Sequence, residues 1–278
     1  MSKDFNFDSI SIKIPKRLKK SHKGNFGKVL IAGGSKGMGG AAILASEASL
    51  FCGAGLVHLN THPSNVEASL IRNPEIMALG ITKVLSMPDN VDVLLCGPGL
   101  KNDEWSKNIF NEVLKIKNNC ALVFDAGALN FIGEEKIEGS QNIVLTPHPG
   151  EAANLLGVSN IEIQEDRINA AKTISKKFSA YVILKGKDTI ICSQNSEDVF
   201  QCSDGGPELS SGGTGDVLAG VISALVAQKL DIIDACILSV AVHARAGTIF
   251  KNNIGEIGLN ASLLIPVSYT HLTLPTKA

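Results

Sequence analysis

Residues 205–220 read Gly205-Gly206-Pro207-Glu208-Leu209-Ser210-Ser211-Gly212-Gly213-Thr214-Gly215-Asp216-Val217-Leu218-Ala219-Gly220, and their types and spacing suit one kind of chemistry. A glycine-rich turn running straight into an apolar helical pattern leaves several backbone N–H groups unpaired at a helix start, where the dipole also favours negative charge. Such a turn is a phosphate seat. Asp216 stands at its mouth, where a carboxylate would repel bound phosphate unless the site needs a base for a hydroxyl about to attack phosphorus. Gly213, Thr214, Gly215 and Asp216 therefore read as a phosphoryl-transfer centre, with the three N–H groups stabilising the transferring group. The alternative is a capped loop in which Asp216 serves only the helix start.

Other reactive types follow apolar, β-rich runs. In Pro147-His148-Pro149-Gly150-Glu151, two prolines fix the backbone around one histidine and the glycine leads into a helix, so a rigid loop displays His148 and Glu151. The same pattern also fits a plain helix entry in which Glu151 favours the dipole. Lys185-Gly186-Lys187-Asp188-Thr189 offers two ammonium groups, an approachable backbone and a hydroxyl, a kit for a nucleotide's phosphates, or else a hairpin turn. Cys96-Gly97-Pro98-Gly99 and Asp125-Ala126-Gly127-Ala128-Leu129-Asn130 put small residues where a ligand could approach and polar ones where it could be held.

One pattern points elsewhere and fails on context. Ala32-Gly33-Gly34-Ser35-Lys36-Gly37-Met38-Gly39 has the glycine spacing of short-chain dehydrogenases, and Tyr181-Val182-Ile183-Leu184-Lys185 supplies a Tyr-x-x-x-Lys. Those enzymes place tyrosine and lysine one helical turn apart. Here the intervening residues are β-branched and short, which predicts a strand, and a spacing of four in a strand separates the pair by roughly 13 Å.

Short β-rich runs at 28–32, 56–60, 92–96, 121–125, 142–146, 180–185 and 189–193 alternate with helical patterns at 39–51, 104–117, 164–178, 216–228 and 233–250. Continuous apolar strands in that alternation predict a mostly parallel sheet covered on both faces, with binding groups at the strands' carboxyl ends. No repeat, low-complexity tract or linker interrupts the pattern. The expected division is a basic N-terminal arm over residues 1–20, one α/β domain over residues 21–266, and a tail over residues 267–278.

Composition bounds the partners. The 278 residues are 44% hydrophobic and 19% charged with net charge −1, which suits an ordinary globular domain and gives no global field for nucleic acid. Lys13, Lys16, Arg17, Lys19, Lys20, Lys23 and Lys28 make the arm locally basic, and it reads as a solvated arm. Six cysteines without Cys-x-x-Cys spacing read as reduced core residues, which points to the cytoplasm. The start has no apolar leader and no later run approaches eighteen uninterrupted apolar residues, so the expectation is neither secretion nor a membrane partner.

Taken in order, Gly24-Asn25-Phe26-Gly27-Lys28-Val29-Leu30, Gly33-Gly34-Ser35, Asn73-Pro74-Glu75, Gly97-Pro98-Gly99, Asp125 to Asn130, Thr146 to Glu151, Lys185-Gly186 and Gly212 to Gly220 form a combination that resembles the ribokinase-like NAD(P)H-hydrate dehydratases over residues 20–266. The resemblance implies a three-layer α/β/α fold. It also implies that the 6-hydroxyl of the S-form of hydrated NADH or NADPH is phosphorylated by ADP or ATP, after which phosphate is eliminated. By the same resemblance Ala41, Gly99, His148 and Asp216 contact the hydrated dinucleotide, while Lys185, Gly186, Lys187, Asp188, Thr189 and Gly215 contact the adenine nucleotide. Mg²⁺ is expected to bridge phosphates, held by substrate oxygens and water, with no dedicated metal cluster in the chain. The expected functional partner is an NAD(P)H-hydrate epimerase, because the epimerase domain fused to this one in some relatives is lacking, and the expected assembly is a homo-oligomer. A small-molecule hydroxyl kinase of the same superfamily, acting on a thiazole or pyrimidine alcohol, would use Gly213 to Asp216 equally well, but the Pro147 to Glu151 loop argues against it.

Two features depart from that pattern. Family members often carry asparagine before the proline of the segment leading to Gly212, where this chain has Gly206. Val267-Ser268-Tyr269-Thr270-His271-Leu272-Thr273-Leu274-Pro275-Thr276 resembles the translation of a sequencing adapter, so the tail is read as non-native and Tyr269 and His271 are given no role.

Overall fold

The computed structural model describes residues 2–116, 120–132, 142–194 and 197–273. Its strands are β1 (Lys3–Phe5), β2 (Lys28–Ala32), β3 (Leu56–Thr61), β4 (Met77–Gly80), β5 (Val93–Cys96), β6 (Ala121–Phe124), β7 (Ile143–Leu145), β8 (Tyr181–Leu184), β9 (Ile190–Cys192) and β10 (Val199–Cys202). Its α-helices are α1 (Gly39–Phe51), α2 (Val66–Arg72), α3 (Glu104–Leu114), α4 (Gly127–Ile132), α5 (Pro149–Leu156), α6 (Asn160–Glu165), α7 (Arg167–Phe178), α8 (Thr214–Ala227), α9 (Ile232–Asn253) and α10 (Ala261–Thr273).

The strands form one sheet in the order β1-β10-β9-β8-β7-β6-β5-β2-β3-β4. All neighbours are parallel except β8 with β9 and β9 with β10. The chain leaves β2 toward β3 and β4 on one side, then returns to β5 on the other, so the topological switch falls between β2 and β5. Open parallel sheets bind ligands outside the strand carboxyl ends at such a switch. There the two following turns interlock: Gly34 N–H donates to Pro98 O at 2.8 Å and Ser35 N–H to Gly99 O at 2.9 Å.

Strand alternation divides the core between the two faces of the sheet. Val29 and Ile31 pack with α1, α8, α9 and α10, whereas Leu30 and Ala32 pack with α3, α4, α5 and α7. This is the expected mostly parallel sheet with both faces covered. Helix α9 is long and apolar enough to cross a membrane by length and composition, yet 67% of its apolar window is buried inside this fold. The Lys3–Phe5 segment of the N-terminal arm pairs with β10.

Several boundaries move for local reasons. The helical pattern at 164–178 is two helices, because Asp166, at φ −142° and ψ 76°, leaves the helical region and its side chain accepts from Asn169 N–H to start α7. Residues 127–132 form a helix where a ligand-binding loop was expected. The tail boundary at Val267 falls inside α10, which contains Pro266; Leu274 to Ala278, and Lys117 at the end of one expected helix, lie outside the described residues.

Helix α8 sits close to α1. A Cβ on Gly220 would lie 2.3 Å from Ala45 O, and Ser49 Oγ donates to Gly220 O at 2.9 Å. No flexible group is available to yield there. Gly220→Ala should therefore cost about 1–3 kcal/mol by overpacking, read as a lowered urea midpoint with unchanged m-value.

Candidate active site

The turn into α8 is shaped by Gly213, which caps the helix at φ 92° and ψ −13°, a left-handed conformation that glycine adopts without strain. The helix starts at Thr214, two residues earlier than the sequence pattern places it, so Asp216 lies within the first turn. The N–H groups of Gly213, Gly215 and Asp216 donate to no partner among the described residues. Thr214 differs from the expectation: its N–H is directed at Ser211 O at 3.4 Å, and its hydroxyl bonds Leu209 O and Ser211 O at 2.8 and 2.9 Å. Thr214 thus ties down the turn while its glycine neighbours present the free donors.

Beside this turn three carboxylates converge on one ammonium. Lys185 Nζ lies 2.6 Å from Asp125 Oδ1 and 3.8 Å from Glu151 Oε2. Asp125 also accepts from Thr146 Oγ1 at 2.6 Å. Each group stands just beyond a strand's carboxyl end: Asp125 after β6, Thr146 after β7, Lys185 after β8. A Cβ on Gly215 would lie 3.4 Å from Lys185 Nζ, which places the ammonium against the turn.

Burial dominates the electrostatics. Asp216 is pushed up to about 7, first by loss of water, then by repulsion from Asp125, with Lys185 opposing and Glu151 adding. Glu151 is also raised, again chiefly by burial. Burial alone would lower Lys185, but attraction to Asp125 and Glu151 outweighs it and the ammonium is held above its ordinary value. A carboxylate poised near neutrality beside unpaired N–H donors is suited to take a proton from an alcohol.

A cleft of about 670 Å³ adjoins this cluster at Lys185 and is lined also by Gly186, Lys187, Thr189, Thr214 and Gly215, with Asp216 just outside its lining. Asp188 does not line it. Thr189 Oγ1 donates to Gly186 O at 3.0 Å, closing the turn. Arg167, which the sequence reading passed over, backs the same turn by donating to Leu184 O and Lys185 O at 3.2 and 3.3 Å. A larger cavity of about 840 Å³ near Arg17 and Gln228 shares no residue with the Asp216 cluster.

Ala41, Gly99 and His148 lie outside that cleft. A Cβ on Gly99 would meet Ala41 Cβ at 3.3 Å, so those two are neighbours, and Leu44 of the same helix approaches Gly213. His148 Nδ1 caps α5, accepting from Gly150 and Glu151 N–H at 3.0 and 3.2 Å, while its ring is half exposed. The helix-entry reading thus holds and His148 is displayed, whereas Glu151 is turned inward, buried and accepting from His148 N–H at 2.7 Å. Near the departure at Gly206, Glu208 Oε2 sits 2.7 Å from where a Cβ on residue 206 would lie, so a neighbouring carboxylate fills that space.

Comparison with known proteins follows the same line. The family described as NAD(P)H-hydrate dehydratase matches residues 29–268. A bifunctional NAD(P)H-hydrate repair enzyme of Coxiella burnetii is 38% identical over 91% of this chain and 52% of its own length, so the chain spans about half the length of such relatives. An ADP-dependent (S)-NAD(P)H-hydrate dehydratase of Neisseria meningitidis is 33% identical over 91% of this chain and 87% of its own. Among solved structures, the ADP/ATP-dependent NAD(P)H-hydrate dehydratase of Bacillus subtilis co-crystallized with ATP/Mg²⁺ superposes with TM-score 0.84 at 27% identity, covering 93% of each chain. The three-layer architecture is the ribokinase-like fold.

Proposed function

This chain belongs to the NAD(P)H-hydrate dehydratase family, and we propose that it dehydrates the S-form of hydrated NADH or NADPH at the expense of ADP or ATP. The observation that carries the reading is Asp216, raised to about 7, set in the same helical turn as three unpaired N–H donors.

Hydroxide leaves poorly from C6 of the hydrated ring. In the proposed reaction the 6-hydroxyl oxygen attacks the terminal phosphorus of the nucleotide, the bond from that phosphorus to the bridging oxygen breaks, and Asp216 accepts the hydroxyl proton. The N–H groups of Gly213, Gly215 and Asp216 stabilise charge on the transferring phosphoryl group. The ring nitrogen's electron pair then expels phosphate, and loss of a proton from the adjacent carbon restores the dihydronicotinamide. Lys185, Gly186, Lys187 and Thr189 line the proposed nucleotide side, with Asp188 placed in the turn behind them. Ala41, Gly99 and His148 form the proposed dinucleotide side. Lys185, held by Asp125, keeps its ammonium against Gly215 and offsets the three carboxylates.

The residues present fit Mg²⁺ in one respect: Asp125 and Glu151 offer carboxylate oxygens to water molecules around an ion that phosphate oxygens would otherwise hold. Bound there, the ion would neutralise phosphate charge. No group of three or more potential metal-binding side chains occurs among the described residues. An NAD(P)H-hydrate epimerase is the proposed functional partner, since only the S-form is taken as substrate.

Because Asp216 must be ionised to accept a proton, kcat/KM should rise with pH and level off above about 7, tenfold per unit on the acid side. The route is tested by counting products: one inorganic phosphate and one AMP from ADP, or one ADP from ATP, per reduced dinucleotide restored. Dinucleotide restored without phosphate release would overturn it. Release of a stable phosphorylated alcohol from a thiazole or pyrimidine substrate would instead favour the hydroxyl-kinase reading.

A further inference from the structure

Helix α9 carries a buried histidine that the proposed chemistry does not use. His243 is buried on the cleft wall among Leu209, Leu218, Val240 and Ala244, and its Nε2 lies 2.9 Å from Thr214 O. A carbonyl oxygen can only accept, so Nε2 must carry the proton. Burial pushes the imidazole down to about 4, which keeps it neutral at working pH and leaves Nδ1 without a proton. Charge is therefore not its contribution.

Position is. The first turn of α8 has no side-chain cap at Gly213. Besides the ordinary helical bonds, four hydrogen bonds fix it: the Thr214 hydroxyl to Leu209 O and to Ser211 O, the Thr214 N–H to Ser211 O, and the imidazole on Thr214 O. The first three tie the turn to its own loop. The His243 bond alone among them ties it to a different core element, and it acts on the peptide that joins Thr214 to Gly215, whose N–H is one of the unpaired donors.

We infer that His243 is a positioning residue for phosphoryl transfer, holding the Thr214–Gly215 peptide through its Nε2–H so that the free N–H groups and Asp216 keep a fixed aim. This rests on the reading of Gly213 to Asp216 as the reacting turn. The requirement is for a neutral donor at that point in space. Glutamine at 243 supplies one of similar reach; methionine fills similar volume and supplies none.

The test compares parent, His243→Gln and His243→Met enzymes for kcat, KM for ADP or ATP, ADP affinity by calorimetry, and thermal midpoint. His243→Met should lose roughly 10–100-fold in kcat, the scale expected when reacting groups lose about an ångström of alignment. Its nucleotide KM and affinity should change less than about threefold, and His243→Gln should recover kcat to within about threefold of the parent. Equal kcat in all three folded enzymes, with only the midpoint lowered, would show a structural residue and overturn the inference. Equal loss in both variants would also overturn it. Should His243→Met fail to fold, ¹⁵N spectra of the parent's imidazole decide: the inference requires the Nε2–H tautomer at pH 7 and a shift on adding ADP, and the other tautomer or no shift sinks it. A parent that binds ADP but restores no dinucleotide contradicts the proposed function instead, and the ¹⁵N readout still stands on its own.

Discussion

Asp216→Asn is expected to lower turnover by roughly 10²–10⁴-fold, the usual contribution of a positioned general base, while ADP affinity stays close to the parent's. Asparagine keeps the volume and a hydrogen-bonding oxygen but cannot accept the hydroxyl proton. Single-turnover kinetics with calorimetry separates the two effects. The same substitution should stabilise the fold. Asp216's folded value, about 7, lies above its ordinary one. Its protonated form therefore favours the fold below about pH 4, and that contribution is lost as pH rises through about 7. Asparagine does not titrate, so the variant's advantage should grow between those limits and stay level above them. Partial exposure reduces the full linkage value, leaving on the order of 1–2 kcal/mol at pH 8. Thermal unfolding at pH 5 and pH 8 reads this; a variant less stable than the parent at pH 8 would contradict the burial argument.

Lys185→Met should have the largest effect on stability. The Asp125 side chain is 2% exposed and its pairing with Lys185 is 18% exposed on the lysine side, so removing the ammonium leaves a buried carboxylate with Thr146 as its remaining side-chain partner. Breaking a buried pair in this way costs about 3–5 kcal/mol, or roughly 6–20 °C in thermal midpoint for a chain of this size. Lys185 also holds Asp216 down, so its loss should move the acid limb of any residual activity above pH 7. Adding Asp125→Asn removes the orphaned charge and should recover part of the stability without recovering nucleotide binding. A double variant no more stable than the single one would mean that the pair is not what the lysine contributes.

These two residues also show what a sequence can reveal. The Asp216 turn was legible because its information is local: glycines that permit the bend, followed by an apolar helix. The central strands were legible from continuous apolar runs, with β2 placed to the residue and the others differing by one residue at one or both ends. The edge strands were not. β1 has three residues and β4 alternates exposed with half-buried positions, so neither has the composition of a buried strand. β10 follows β9 as an antiparallel return that the alternating pattern does not announce.

The role of Lys185 was only half visible. Its company with Lys187 and Thr189 suggested phosphate contact, but its partner Asp125 is 60 residues away and meets it only because β6 and β8 end side by side around β7. Asp125 likewise looked like one polar residue in a loop of small ones. His243 gave less signal still, being a single histidine inside an apolar helix, which by pattern alone is a core residue. Its bond to Thr214, 29 residues earlier, forms only once α9 has folded back against the start of α8.

The most direct measurement is absorbance at 340 nm with purified protein, Mg²⁺ and S-form NADH hydrate, supplied in parallel with ADP, with ATP and with neither. The reduced-nicotinamide band should grow with at least one nucleotide and stay flat without any, and the more effective donor identifies itself by rate. Silence with both nucleotides, in a folded protein shown by calorimetry to bind them, would contradict the proposed dehydration.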